Sequence, residues 1–375
     1  MRLVIRGLFR RRFRTCLTVF GVGVGIFGFV IMGAVAEKMD RVASNTVAFF
    51  SRYVFVLSQR GFFGIGGVLH GDIAREINTW PEVEYATPRI IVPLDIMDAG
   101  LPMSVCAVVG IETQVDRYQF GSLPLREGVY PPPGSSGLIL LGDTVSRKYH
   151  KRTGDTFEVN GRAFTVSGVM DRLDANLDHA AMLPIDEVRS LFSFPADECT
   201  NIAVSPHEGV DAEALARRIE GVFPGVYTIS PSSLRGQMES ATVFANSLVY
   251  GATIVAVLAG ALGIVNTMVM SVTERAREIA TKKAIGAGTS QLFLEFLFES
   301  VVIATMGGAV GVLLGYLVAG LLNAHLGDSG VAIFLVTRRL VAWGMVVAVV
   351  VGCLAGVYPA MRAARTDPVR ILRSV

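Results

Sequence analysis

Four stretches of this chain carry no charged residue and are long enough to cross a lipid bilayer: Thr15–Ala36, Ser240–Thr273, Ser300–Ala324 and Leu340–Met361. A hydrocarbon core of about 30 Å needs roughly 20 helical residues, and inside it every backbone N–H and C=O must find its partner within the segment. The sequence therefore predicts a polytopic α-helical membrane protein with four transmembrane helices. The first run is read as a span and not as a cleaved leader. It exceeds the usual leader core of about 7–15 residues, and Glu37-Lys38-Met39-Asp40 follow it where a small-residue cleavage site would stand. The second run would be about 51 Å long if wholly helical. Glu37–Ala48 also keeps a helical pattern beyond the first span. These two extensions are expected to form a stalk.

The placement of charge divides the rest. Net charge is only +2, in a chain that is 51% hydrophobic. The first fourteen residues nevertheless hold six arginines and no acid, whereas 37–239 holds 18 Lys/Arg against 26 Asp/Glu. Arg275, Arg277, Lys282 and Lys283 lie between the second and third spans, and Arg362, Arg365, Arg370 and Arg373 follow the fourth. Basic loops stay in the cytoplasm, so both termini are expected inside and 37–239 outside. Arg338 and Arg339 fall on the outer side, a small violation. Arg2, Arg6, Arg10 and Arg14 recur every four residues opposite Val4, Ile5, Leu8 and Phe9, the pattern of an amphipathic helix on the inner surface. The expected organisation is 1–14 N-terminal helix, 15–36 first span, 37–239 outer domain and stalks, 240–273 second span and 274–299 cytoplasmic segment. It continues with 300–324 third span, 325–339 outer loop, 340–361 fourth span and 362–375 tail.

The inserted stretch alternates short strands and helices, which predicts an α+β domain between the first and second spans. Strands are expected at Tyr53–Ser58, Met103–Ile111, Gly137–Leu141, Thr156–Val159, Ala163–Val169 and Thr200–Val204. Asn160-Gly161 between two alternating runs signals a two-residue hairpin, since both positions tolerate positive φ. Helices are expected at His70–Asn78, Asp143–His150, Pro184–Phe192 and Asp211–Gly221. Gly61–Val68 (GFFGIGGV) reads equally as a loop tip or as an apolar contact for a ligand. Of four cysteines, Cys106 and Cys199 lie in this stretch. A disulfide between them and two separately buried thiols both fit, and the second is the expectation. No Cys/His cluster has metal-ligand spacing, so no metal site is expected.

Within the spans, Gly21/Gly25, Gly307/Gly311/Gly315 and Gly352/Gly356 stand four apart, the spacing at which small residues let two membrane helices approach closely. Asn246 and Asn266 are the most polar interior residues. Ion and proton pathways need intramembrane carboxylates, histidines or arginines, so the membrane part reads as a mechanical device. Enzymatic chemistry finds no support, because no nucleophile–base pair or carboxylate dyad has recognisable spacing. No phosphate-binding loop of the GxxxxGK[ST] type occurs in the chain.

After the second span the chain reads Val272-Thr273-Glu274-Arg275-Ala276-Arg277-Glu278-Ile279-Ala280-Thr281-Lys282-Lys283-Ala284-Ile285-Gly286-Ala287. This resembles the signature of the FtsX/MacB-type (type VII, mechanotransmission) ABC transporter permeases. Arg14-Thr15-Cys16-Leu17-Thr18, Phe298-Glu299-Ser300 with Gly307-Gly308, Pro359-Ala360, Ala363-Ala364-Arg365 and Asp367-Pro368-Val369 agree with it in order. In the outer stretch, Gly154-Asp155, Phe164-Thr165-Val166 and Gly168-Val169 resemble the MacB periplasmic core. The resemblance implies a permease that dimerises, with itself or a paralogue, and binds a separate ABC ATPase. ATP and Mg would sit on that partner, with no cofactor on this chain and no nucleic acid involved. It assigns ATPase coupling to Glu274, Arg275, Arg277, Glu278, Lys282, Lys283, Ala284 and Gly286.

The residues themselves add that Arg275 and Glu278 can pair along a helix, as can Glu274 and Arg277. Lys282 and Lys283 are expected free for acidic partners. Gly286 and Gly288 are expected to end the helix, with Thr289 or Ser290 capping the next. The leading function is export or efflux, in the inner membrane, with a periplasmic adaptor. The alternatives are control of an extracellular cell-wall hydrolase and extraction of lipoproteins or lipids from the outer leaflet.

Overall fold

The computed structural model describes residues 12–59, 67–94, 106–112, 123–327 and 332–367. The predicted surface helix at 1–14 lies outside them save for its last three residues, and most of the Gly61–Val68 loop lies outside them too. The chain divides into two compact units, one formed by Met1–Lys38, Val243–Asn323 and Ile333–Val375, the other by Met39–Thr242 and Ala324–Ala332.

Among the described residues, four helices are long and apolar enough to span a membrane: α1 (Arg12–Phe50), α6 (Pro231–Glu274), α8 (Thr289–Gly327) and α9 (Arg338–Ala364). The short α7 (Ala276–Ala284) lies between α6 and α8. Glycine sets how closely the spans approach. A β-carbon on Gly307 would lie 2.7 Å from Val22 Cβ, and one on Gly315 2.7 Å from Val30 Cγ1, so α8 runs directly against α1. Gly352 meets Ala304 at 2.5 Å and Gly356 abuts Ser300, which brings α9 onto α8. Gly25 would meet the Ala256 carbonyl at 2.7 Å, joining α1 to α6. Thr18 Oγ1 donates to Thr267 Oγ1 at 2.8 Å across the same pair. Gly21 differs from its expected packing role, because a β-carbon there would meet nothing within 4 Å. The close-approach positions on α1 also include Gly23 and Gly33. Between α8 and α9 the chain is tied down. Asn323 donates to Phe334 O at 2.7 Å and accepts from Ile333 N and Phe334 N at 3.1 Å, and Leu335 N reaches Ala34 O on α1 at 3.0 Å. Helix α6 is the least enclosed, with 11% of its most apolar stretch buried against 33, 33 and 39% for the other spans.

The inserted unit is built on one mixed ten-stranded sheet. Its strands are β1 (Val54–Ser58), β3 (Val83–Pro93), β4 (Ala107–Ile111), β5 (Leu125–Gly128), β6 (Leu138–Leu141), β7 (Thr156–Val159), β8 (Arg162–Met170), β9 (Ala180–Pro184), β11 (Asn201–Pro206) and β12 (Val226–Ile229). The order is β12-β1-β11-β3-β4-β9-β6-β8-β5, with β7 on β8, and β2 (Leu69–His70) pairs separately with β10 (Glu198–Cys199). β4–β9 and β6–β8 are parallel and the other pairs antiparallel. Helices α2 (Asp72–Ile77), α3 (Asp143–Lys148), α4 (Ile185–Phe192) and α5 (Ala212–Val222) complete the α+β fold.

Local chemistry accounts for several joins. Asn160 and Gly161 hold φ of 48° and 77°, the two positive values of the hairpin turn that links β7 to β8. Asp211 caps α5 by accepting from Glu213 N at 2.9 Å. Strand β3 is shared: Val83–Arg89 pair with β11 and Ile90–Pro93 with β4. Over the first part it has β11 alone beside it, which leaves room for Pro88, a residue with no N–H to donate. One apolar core lies under the sheet, from Val54 and Val56 through Ile90 and Val108 to Phe164 and Val166. A smaller cluster on Leu140, Met170, Leu177 and Met182 takes in Phe49 and Phe50 from the end of α1. Cys106 and Cys199 are separate buried thiols, and burial pushes the Cys199 thiol up to about 12.

Candidate functional site: the segment between the second and third spans

Helix α6 stops at Glu274 because Arg275 leaves helical geometry, with φ −99° and ψ 14°. The turn is held by Arg275 itself. Its guanidinium donates to both Glu278 oxygens, at 3.1 and 3.3 Å, and to Glu299 Oε2 on α8 at 3.1 Å. It also lies over the Phe296 ring, 5.4 Å from the centroid. The Glu299 side chain is only 7% exposed and that of Arg275 25%. A carboxylate so enclosed needs this partner, since an unpaired buried charge costs several kcal/mol. Burial works against the Arg275 charge, but the hydrogen bonds to Glu278 and the field of Glu299 outweigh it and hold its pKa above the ordinary arginine value. The same hydrogen bonds hold the Glu278 carboxyl below the usual range.

The two lysines are not free, contrary to the sequence expectation. Lys282 Nζ donates to Glu295 Oε1 on α8 at 2.9 Å and sits 3.4 Å from Glu278 Oε1. Burial acts against its charge, and these carboxylates more than offset that, so its pKa is raised. Lys283 Nζ donates to Thr366 O, just past α9, at 2.9 Å. Alternating i,i+4 charges look like a solvated helix face in sequence. The structure turns the lysines inward because α8 and the end of α9 offer acceptors beside α7. Glu295 and Glu299 were not assigned to the site from the sequence: Glu299 entered only as part of the Phe298-Glu299-Ser300 match, and the local signal was two acids directly ahead of an apolar run.

Gly286 closes α7. At φ +103°, a backbone conformation that favours glycine, it lets Gly286 N reach Lys283 O and Ala287 N reach Lys282 O, both at 3.0 Å. This is the Schellman pattern that satisfies the last carbonyls of a helix. The next helix is capped differently from expectation. Gly288 occupies the cap position, and its N–H goes to Gln291 Oε1 at 3.3 Å.

The inward lysines leave an outward face made of Arg277, Thr281, Ala284 and Ile285, all exposed. Ile285 is 82% exposed, more than any other large apolar side chain among the described residues. Among the described residues, Arg275 and Lys282 are held in ion pairs and Lys283 is bonded to a backbone carbonyl, whereas Arg277 stands outside these internal contacts. The segment is thus a rigid knuckle: locked to α8 on one side, closed by a glycine, and presenting one cation beside an apolar tip.

Comparison with known proteins identifies the family. Residues 250–368 match the model described as FtsX-like permease C-terminal, and residues 15–222 match the MacB-like periplasmic core domain. The chain belongs to the FtsX/MacB-type ABC transporter permeases. The second match covers over half of the chain and corresponds to the inserted sheet domain, while the first contains α7 and its partners on α8 and α9. Similar curated proteins include the macrolide export ATP-binding/permease protein MacB of Shewanella oneidensis, 36% identical over 99% of this chain and 60% of that protein. The pyoverdine export ATP-binding/permease protein PvdT of Pseudomonas entomophila is 27% identical over 98% of this chain and 58% of that one. The ABC transporter permease MJ1507 of Methanocaldococcus jannaschii is 22% identical over 97% and 95%. The chain therefore spans about three fifths of the length of the MacB and PvdT relatives, and nearly all of the archaeal one.

Proposed function

We propose that this chain is the non-catalytic permease subunit of an ABC exporter, docked from the cytoplasm by a separate ATPase on residues 274–288. ATP and Mg reside on that ATPase, two permease chains assemble, both termini face the cytoplasm and the sheet domain lies outside. The observation that carries the reading is the knuckle. Arg275 and Lys282 are paired with acids of α8 and Lys283 is bonded to the chain past α9, so the segment is stiff, and its exposed face offers Arg277 and Ile285 to a partner. A stiff docking element passes displacement on to α6 and α8 where a loose loop would absorb it. Almost no ionisable group lies inside the four runs, and burying a charged substrate there without polar partners costs several kcal/mol. Substrate handling outside the bilayer follows. Two relatives are named for macrolide and pyoverdine export, which supports export of a small organic molecule or siderophore.

Ile285→Asp and Arg277→Glu leave the internal ion pairs intact and are expected to abolish co-purification of the ATPase from the native membrane. Normal retention by both variants would place the docking site elsewhere. For orientation, Glu208→Cys is expected to react with a membrane-impermeant maleimide on intact cells and Ser374→Cys only after lysis. Labelling of the tail from outside would reverse the topology.

A further inference from the structure

The inserted domain is fastened unequally to the two helices that enter and leave it. On the entry side, the last turns of α1 present one face at i, i+4 spacing. Asn45 Nδ2 donates to Leu173 O at 2.7 Å, Arg41 stands 4.0 Å from Asp174 Oδ2, and the buried Thr46 accepts from Asn176 N at 3.4 Å. Phe49 and Phe50 follow on that face, packed into the apolar cluster of Leu140, Met170 and Leu177. The three polar contacts reach across more than 100 residues of sequence to the segment between β8 and β9.

That segment is itself braced. Asp178 is buried and accepts from Leu173 N at 2.9 Å and Ala175 N at 3.4 Å. Arg172 Nε donates to Asp174 Oδ1 at 2.9 Å. A β-carbon at Gly142 would collide with the Asp178 carbonyl, so the backbone of the next loop is pressed directly underneath. Residues 171–178 form a stiff socket, and α1 is seated in it.

Among the described residues the exit side shows no such socket. Helix α6 leaves β12 through Ser230, whose hydroxyl accepts from Ser233 N at 3.2 Å, and its first turn is held by Ser232 bonding Glu213 Oε1. Past that turn, Arg235, Gly236, Gln237, Glu239 and Ser240 are not buried. One helix is gripped over three turns and the other is pinned at one.

We propose that the outer turns of α1 and the sheet domain form a single rigid body through the 171–178 socket, and that α6 meets this body at a pivot around Ser230–Ser233. Force applied along α1 then turns the whole domain, whereas displacement of α6 changes its angle at the joint. The mechanical use of this asymmetry rests on the ATPase-driven reading above. The asymmetry itself does not, and it is tested on the permease alone.

The full chain is spin-labelled in lipid nanodiscs, with Cys16 and Cys353 replaced by Ser and the buried Cys106 and Cys199 kept. Ser44→Cys with Glu158→Cys reports α1 against the domain, Glu239→Cys with Glu158→Cys reports α6 against it, and Glu208→Cys with Glu158→Cys reports the domain alone. The expected result is a narrow distance distribution for the first and third pairs and a broad one for the second. Asn45→Leu with Thr46→Val is expected to abolish the narrow peak of the first pair and leave the third unchanged, which shows that the domain is still folded. Oxidation of Asn45→Cys with Leu173→Cys, read by protection of α1 residues 41–50 from hydrogen exchange, is expected to leave that protection at its unmodified level. The proposal is overturned if the α1 pair is as broad as the α6 pair, if the Leu/Val variant keeps the narrow peak, or if the disulfide raises protection above the unmodified chain. Should the third pair broaden in that variant, the socket is a folding element of the sheet and the proposal fails on that count.

Discussion

Gly311 and Gly21 both stand in GxxxG steps, and the structure assigns them opposite consequences. A β-carbon on Gly311 would overlap the Gly23 carbonyl oxygen and lie 2.9 Å from both Ile26 Cβ and Phe27 N. Two of those three atoms are α1 backbone, so the contact is relieved only by moving the helices apart. Overpacking of a close contact costs typically about 1–3 kcal/mol. The helix propensity gained on replacing Gly by Ala returns up to about 1 kcal/mol. Gly311→Ala should therefore destabilise the membrane unit by about 1–2 kcal/mol. A β-carbon on Gly21 would meet nothing within 4 Å, so Gly21→Ala keeps the propensity term alone and should stabilise by up to about 1 kcal/mol. The measurement is unfolding of the purified chain in lipid bicelles by SDS titration, followed by helical circular dichroism, with both single variants and the double. The two positions share no contact, so the two effects should add. If Gly311→Ala and Gly21→Ala shift the midpoint in the same direction, the close approach of α8 to α1 at Gly23 is not what sets the packing.

Two further outcomes test the knuckle. Arg275→Met strands the Glu299 carboxylate and should cost about 3 kcal/mol, the low end for a broken buried pair because a quarter of the Arg275 side chain is exposed. Adding Glu299→Gln should recover most of that loss in the same SDS titration, and an equal loss in single and double variants would show that the pair is not coupled. Glu278 titrates below the usual carboxylate range through its bonds to Arg275. Its stabilisation is therefore fully present above the ordinary glutamate pKa and lost as pH falls through the lowered one. Protection of α7 amides, corrected for intrinsic exchange, should drop across that acidic window in the unmodified chain and vary less in Glu278→Gln.

The spans were legible because the bilayer imposes one rule on every residue in them: a helix that crosses it needs a charge-free run of about 20 residues, and a water-soluble fold seldom needs one. Hairpin Asn160-Gly161 was legible for an equally local reason, since two adjacent positive φ values select those residues. Strand β3 was not. Its Glu84, Pro88 and Arg89 interrupt the alternation that marks a strand, and its pairing changes from β11 to β4 after Arg89. A strand with different neighbours along its length has no single face to keep apolar, so its sequence carries no period. β9 (AAMLP) failed differently: it is flanked by β4 and β6 and buried almost throughout, so alternation has no solvent face to record.

The segment between α6 and α8 shows where local reading stops. Arg275 with Glu278 is an i,i+3 pair and could be anticipated, but Glu299 lies 24 residues away on another helix. Lys282 likewise meets Glu295, 13 residues on, and Lys283 meets a carbonyl 83 residues on. Each long-range contact engages one cation that the sequence seemed to leave free. What remains outside is set by the phase of α7: with Arg275, Lys282 and Lys283 turned toward α8 and α9, Arg277, Thr281 and Ile285 must point away. A partner approaching this knuckle thus meets one cation outside the internal contacts beside an exposed isoleucine, a surface whose binding should depend far less on salt than four free cations would require. Retention of the ATPase on washing from about 0.1 to 0.5 M salt, a range over which exposed charges are progressively screened, is the outcome this geometry demands. Release within that range would mean that the lysines leave their internal partners when the ATPase binds.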